Sequence, residues 1–92
     1  MQTTQKPMFR LGRLTATPNF LEAVPRKAMV DAIRRYATGD FGEVSESDAL
    51  INRWSAHNGR RIVANYQHAS TRFVITTEPD RSITRISLPD EN

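Results

Sequence analysis

Gly59-Arg60-Arg61-Ile62-Val63-Ala64-Asn65-Tyr66, Arg72-Phe73-Val74-Ile75-Thr76-Thr77 and Ser82-Ile83-Thr84-Arg85-Ile86-Ser87-Leu88 follow one another in the last third of the chain. Each run is rich in β-branched and aromatic residues, which suit a pleated, half-buried surface, and turn formers separate them. The first connection is Gln67-His68-Ala69-Ser70; the second is Glu78-Pro79-Asp80-Arg81, where proline presets the second position of a type I turn. Three strands joined this way make an antiparallel meander. Along them Ile62, Ala64 and Tyr66 alternate with Arg61, Val63 and Asn65, and Phe73 and Ile75 with Val74 and Thr76. Thr84, Ile86 and Leu88 alternate with Ile83, Arg85 and Ser87. The bulkier face is expected to meet helices, and the Arg- and Thr-bearing face to meet water.

Upstream, Ser45-Glu46-Ser47-Asp48 offers two N-caps and early acidic residues that suit the positive end of a helix. The spacing predicts a helix over 46–57, with Leu50 and Trp54 four apart, closed by Asn58-Gly59. Before it, residues 39–44 form a turn anchored by Phe41 and Val44. A helix over 25–38 ends at Gly39, and on it Met29, Ile33, Tyr36 and Ala37 recur at helical spacing, a stripe that packs on the sheet. Thr17-Pro18 is a capping hydroxyl followed by proline at the first helical position, which opens a shorter helix. Imperfect alternation over 8–14 predicts a short strand. Residues 1–7 are polar and are expected to fray. The reading is an α+β fold: an N-terminal strand, two to three helices, then a three-stranded antiparallel meander packed against them, one domain over 8–92. Trp54, Ile33 and Phe73 are its expected core.

A chain of 92 residues buries roughly 60–65% of its unfolded surface, enough for one core and no more. With 38% apolar and 25% charged residues the composition is that of a soluble globular protein. No cysteine is present, which excludes disulfides, thiolate metal sites and cysteine nucleophiles. No signal-type segment and no apolar run of membrane-spanning length occurs, so the expected address is cytoplasmic, with no membrane partner. The net charge is +3, and the cations are eleven Arg against two Lys. Arginine presents a planar fork that grips carboxylates and phosphates, which suits recognition of a charged partner. An Arg-rich surface equally reflects a GC-rich genome, and ten acidic residues offset much of the charge.

Histidine titrates near neutrality, so acid–base chemistry would look first to His57 and His68. His57 suits the last turn of a helix, where a cation meets the dipole, and His68 falls in a hairpin loop. No Asp, Glu or second His stands at ligand spacing to either, so no metal, cofactor or catalytic residue is assigned. The glycines at 12, 39, 42 and 59 mark bends and caps rather than a phosphate loop. Two charged constellations remain. Arg60, Arg61, Arg72, Arg81 and Arg85 gather on the meander with Tyr66 and His68 nearby, as RNA binding or metal-free RNA cleavage would need. A solvated polar sheet face with Arg stems over apolar neighbours explains the same pattern without a partner. Asp40, Phe41 and Glu43 form a turn that could be an acidic contact patch.

Thr38-Gly39-Asp40-Phe41-Gly42-Glu43-Val44 and Ile75-Thr76-Thr77-Glu78-Pro79-Asp80-Arg81-Ser82-Ile83-Thr84-Arg85-Ile86-Ser87-Leu88-Pro89 together resemble a group of short uncharacterised proteins of plasmids and other mobile elements. In that group a Gly-Asp-Trp-Gly-like turn and a Thr-Glu-x-Asp-Arg-Ser-x-Thr segment recur before a terminal Leu-Pro. The resemblance covers most of residues 8–89 and departs at Phe41, where tryptophan is commoner. It brings no catalytic residues. Small proteins of mobile elements often blunt host defence, as anti-CRISPR and anti-restriction proteins do by binding a nuclease complex. The resemblance supplies context only. In that context the expected function is that of a non-enzymatic protein that binds and inhibits a bacterial defence nuclease complex such as a CRISPR effector, with a plain partner subunit or antitoxin-like protein as a further reading. The element order is also similar to that of RelE-type toxins, which cut mRNA with Arg, Lys, Tyr or His side chains. The alternative is thus a metal-independent endoribonuclease or an RNA-binding protein, an analogy of fold that licenses no activity by itself.

Overall fold

The computed structural model describes residues 7–91; of the stretch 1–7 expected to fray, only Pro7 falls within them. The elements are β1 (Arg13–Ala16), α1 (Pro18–Ala23), α2 (Arg26–Ala37), α3 (Glu46–His57), β2 (Ile62–His68), β3 (Thr71–Thr77), β4 (Ile83–Ser87) and a terminal 3₁₀ turn (Pro89–Glu91). The fold is α+β, as the patterning predicts. β2, β3 and β4 form the antiparallel meander, with Ala64 opposite Ile75 and Ile75 opposite Ile86. The first hairpin is tighter than a four-residue loop. His68 pairs with Thr71, so the turn is Ala69-Ser70 alone and His68 belongs to the strand. The second connection is closed by the Arg81 N–H on the Glu78 carbonyl at 2.9 Å, with Pro79 in its second position.

The sheet has a fourth member. β1 lies parallel to β4, with Arg13 opposite Ile83 and Ala16 opposite Ile86, so the sheet is mixed, in the order β1-β4-β3-β2. The strand expected over 8–14 is displaced. Gly12 adopts φ +66°, and a Cβ there would collide with the Arg81 and Ser82 carbonyls, so the chain turns before pairing begins. Ahead of that turn, Met8 N–H donates to the Ala37 carbonyl at 2.7 Å and Phe9 sets its ring edge-on to Tyr36 at 5.2 Å.

Alternate residues of the meander, Ile62, Ala64 and Tyr66, then Phe73 and Ile75, then Ile86, bury one face with Phe20 of α1 and Ala32 and Tyr36 of α2. Thr17 caps α1, its hydroxyl accepting from the Phe20 N–H at 3.2 Å, and this seats Phe20 on Phe73 with ring centroids 5.0 Å apart. Ile33 is only half-buried; Tyr36 takes the central place. Its hydroxyl heads a buried chain. Tyr36 Oη lies 2.6 Å from Thr77 Oγ1, which lies 2.7 Å from Thr84 Oγ1, which donates to the Leu11 carbonyl at 2.6 Å. A carbonyl only accepts, so the protons run one way: Tyr36 donates to Thr77 and Thr77 to Thr84. Burial pushes the Tyr36 hydroxyl well above its ordinary pKa.

α3 does not pack on the sheet face. It lies along the free edge of β2, where Asn52 Nδ2 donates to the Val63 carbonyl at 2.9 Å and Asn52 Oδ1 accepts from the Val63 N–H at 3.4 Å. A side-chain amide there takes the place of a neighbouring strand. One step along, the turn before α3 continues the cover. Asn65 N–H donates to the Phe41 carbonyl at 3.2 Å, and Glu43 N–H to the Asn65 carbonyl at 2.7 Å. Gly42 alone allows this approach, because a Cβ would strike the Asn65 carbonyl. The inward side of α3 is consequently small and polar, with Asn52 and Ser55 buried. Its apolar stripe faces out: Leu50, Ile51 and Trp54 are 67%, 58% and 54% exposed. Trp54 is therefore not a core residue. Hydrogen bonds to an edge strand, rather than hydrophobic burial, set the facing of this helix.

Candidate macromolecular interface

The register assigns the meander arginines to different places. On the sheet face away from α1 and α2, β1 contributes Arg13 and Thr15, β4 Ile83 and Arg85, and β3 Arg72 and Thr76. β2 adds Val63, Asn65 and Gln67 to that side, with Arg61 just before the strand. The terminal 3₁₀ turn approaches β3, and Val74, Thr76 and Ser87 on this side are buried. The expectation that the Arg- and Thr-bearing face meets water therefore holds for its arginines and for β2, but not for the middle of β3 and the end of β4. Arg13, Arg61, Arg72 and Arg85 are all exposed there. Arg61 stands 3.6 Å from Glu78 in an exposed pair, and Arg85 Nη2 lies 3.4 Å from the Glu91 carbonyl. Glu91 itself is turned to the sheet end, where it accepts from Thr17 Oγ1 at 2.6 Å and Asn19 Nδ2 at 3.1 Å. Those bonds hold its carboxyl below the usual range.

Arg81 and Arg60 lie elsewhere. The Arg81 guanidinium is spent on main-chain carbonyls: Ser55 and Arg60 at 2.7 Å and Glu78 at 3.1 Å. It ties the β3–β4 turn to the C-terminal end of α3, adding a side-chain donor to the Ser55 carbonyl, which also accepts from the Asn58 and Arg60 N–H groups. Its grouping with the surface arginines is corrected accordingly. Arg60 sits over the Trp54 ring with its guanidinium carbon 5.9 Å from the centroid, beside the outward stripe of α3 rather than on the sheet.

The acidic turn is likewise mostly internal structure. Phe41 is buried, edge-on to Tyr36 at 6.0 Å, and so is not a contact residue. Asp40 receives Arg35 Nε at 2.8 Å and Nη2 at 3.3 Å, and its Oδ1 also accepts from the Gly42 N–H at 3.1 Å. The Arg35 bond, with the Gly42 bond behind it, holds the Asp40 carboxyl below the usual range. Glu43 is exposed and shares a shallow depression with Asn65, Arg72 and Pro89. Tyr66 is buried and donates its hydroxyl to the Asp40 carbonyl at 2.7 Å; burial drives its pKa far up. A proton relay through Tyr66, which RNA cleavage would call on, thus has no free hydroxyl to use. His68 is exposed at the end of β2. Among the described residues no group of three His, Asp or Glu side chains is placed to hold a metal ion, and no helix is long and apolar enough to cross a membrane.

Two surfaces therefore stand out: the Arg-bearing sheet face and the outward side of α3. The first follows from strand alternation. The second is masked in the sequence, because Leu50 and Trp54 at helical spacing read as core until the small stripe Ala49, Asn52, Ser55 and Ala56 is weighed against them. Compared with family models, with curated proteins and with solved structures, the chain finds no match in any of the three.

Proposed function

We propose that the protein acts by stoichiometric binding, without turnover, and that its open sheet face takes an acidic surface of a protein partner. The observation that carries this reading is the placement of four exposed arginines, Arg13, Arg61, Arg72 and Arg85, on one sheet face, with Glu78 paired to Arg61 at its rim and Glu43 and Glu91 near Arg72 and Arg85. An excess of positive charge on a sheet platform steers an oppositely charged partner and fixes its register. Arginine forks then make paired contacts with carboxylates. The proposed target is a bacterial defence nuclease complex, of the kind that anti-CRISPR and anti-restriction proteins block; support for the target comes from the resemblance of the 38–44 and 75–89 segments to proteins of mobile elements.

The test uses purified CRISPR effector and restriction nuclease complexes cutting their DNA targets. The intact protein should stop cleavage at about one equivalent, and Arg72→Glu combined with Arg85→Glu should relieve inhibition by about tenfold or more, with a larger loss at low salt. Inhibition untouched by the double reversal would remove the sheet face from the reading, and no inhibition across the set would remove the target. A fluorescent single-stranded RNA titrated in parallel reports the competing partner: tight binding lost in the same variant would move the arginines from protein to RNA.

A further inference from the structure

We propose that α3 is an interface between two copies of this chain, packed antiparallel across a two-fold axis. The outward stripe of α3 runs Ser47, Leu50, Ile51, Trp54, spaced three, one and three apart, which is one face of a helix. Leu50, Ile51 and Trp54 are more than half exposed and add nothing to the core, so the fold alone does not account for three large apolar side chains in one place.

The stripe is complementary to itself when reversed. With the axis between positions 50 and 51, like flanks meet, so Leu50 packs on the partner's Leu50 and Ile51 on the partner's Ile51, while Ser47, the smallest member and near the middle of the stripe, meets the partner's Trp54, the largest. Charge agrees with that direction. Glu46 lies in the first turn on one flank of the stripe, and Arg53 and His57 lie on the same flank toward the other end. Antiparallel packing sets Glu46 between the partner's Arg53 and the partner's His57, with the helix dipoles opposed. Parallel packing about a two-fold would instead set this flank against the partner's opposite flank, which carries Asp48, Ile51 and Ser55 and has no cation for Glu46. A two-fold contact of this sort is closed and self-limiting. The 12 residues of α3 give a contact only about 18 Å long, so the association is weak and depends on concentration. This surface is separate from the arginine-bearing sheet face, and either proposal can fail without the other.

Sedimentation velocity of the full chain from about 10 µM to 1 mM tests it. The mass should rise from one chain toward two, and a chain that stays monomeric throughout overturns the proposal. Leu50→Glu, an exposed position that leaves the core intact, should weaken association by about tenfold or more with an unchanged circular dichroism spectrum. Dimerisation unaffected by it would place the interface elsewhere and overturn the assignment to α3. Glu46→Arg should weaken the dimer several-fold, and adding Arg53→Glu to the same chain should restore it, since each swapped charge then meets its swapped partner. Failure of that rescue would overturn the antiparallel arrangement.

Discussion

α2 and α3 are both 12-residue helices, and they settle on the same sheet by opposite means. α2 buries Ala32, Tyr36 and Ala37 against the sheet face and sends its arginines outward. α3 buries Asn52 and Ser55 against a strand edge and sends its largest apolar side chains outward. A sheet face offers apolar side chains, so the helix that covers it must be apolar. A sheet edge offers unpaired N–H and C=O groups, so a helix that covers it does better with an amide. The amphipathic rule thus tells which side of a helix meets a core, but not whether a core is what the helix meets.

The contrast breaks most visibly under truncation to alanine. Tyr36→Ala should cost about 3–5 kcal/mol, because it empties a fully buried site and leaves Thr77 without its donor. Trp54→Ala should cost less than about 1 kcal/mol, the usual range for an exposed side chain. Urea denaturation of the two variants measures both. Comparable losses would mean that α3 is held by its apolar side after all.

The next effect probes the edge itself. Asn52→Leu keeps bulk and raises helix propensity but strips the Val63 N–H and carbonyl of their partners, at a cost of about 1–3 kcal/mol. Leu50→Ala, two residues away on the other side, should stay within about 0.5 kcal/mol. A neutral Asn52→Leu would show that α3 needs no polar contact with β2.

Arg81 extends the comparison to the end of α3. Arg81→Ala leaves the Ser55 and Arg60 carbonyls without that donor and should cost about 1–2 kcal/mol. Arg72→Ala, on the open sheet face, should be close to neutral in the same thermal melts. Equal effects would return Arg81 to the surface set.

These contrasts also mark what could be read from residues alone. The ends of α3 follow from Ser45, whose hydroxyl accepts from the Asp48 N–H at 3.1 Å, and from Gly59 at φ +63°, because caps are local chemistry. The side each residue of β2, β3 and β4 takes follows from alternation, which is local as well, but that both sides of β3 are buried from Phe73 to Thr77 does not, since it depends on what covers the second face. Pairing of β1 with β4 is not legible, since it joins residues some 70 positions apart and begins only where Gly12 lets the chain pass the Arg81 and Ser82 carbonyls. The role of Arg81 is hidden for the same reason: its acceptors are main-chain oxygens, which carry no side-chain signature. Of the candidate surface, Arg61, Arg72 and Arg85 were legible from strand phase, whereas Arg13 and the α3 stripe required knowing what each element packs against.

The smallest effect separates the two covers of the β2 edge by pH. One is the neutral amide of Asn52; the other is the turn pinned by Arg35 and Asp40. Because the Arg35 bond lowers the Asp40 pKa in the folded chain, its stabilising contribution is fully present above the ordinary aspartate value, about 3.9, and is lost as pH falls through the lowered folded value. The two side chains are 50% and 54% exposed, so solvent screens the pair and the contribution should not exceed about 1 kcal/mol. Asp40→Asn should therefore lose more stability at pH 7 than at acid pH below the ordinary aspartate value, flattening part of the acid slope; Asp80 and Glu91, also lowered by hydrogen bonds, act in the same direction. Asn52→Leu, with no titrating group removed, should lower stability equally at both pH values. An acid slope that survives Asp40→Asn unchanged would mean the Arg35 pair does not hold that turn in solution, and the edge of β2 would then rest on Asn52 alone.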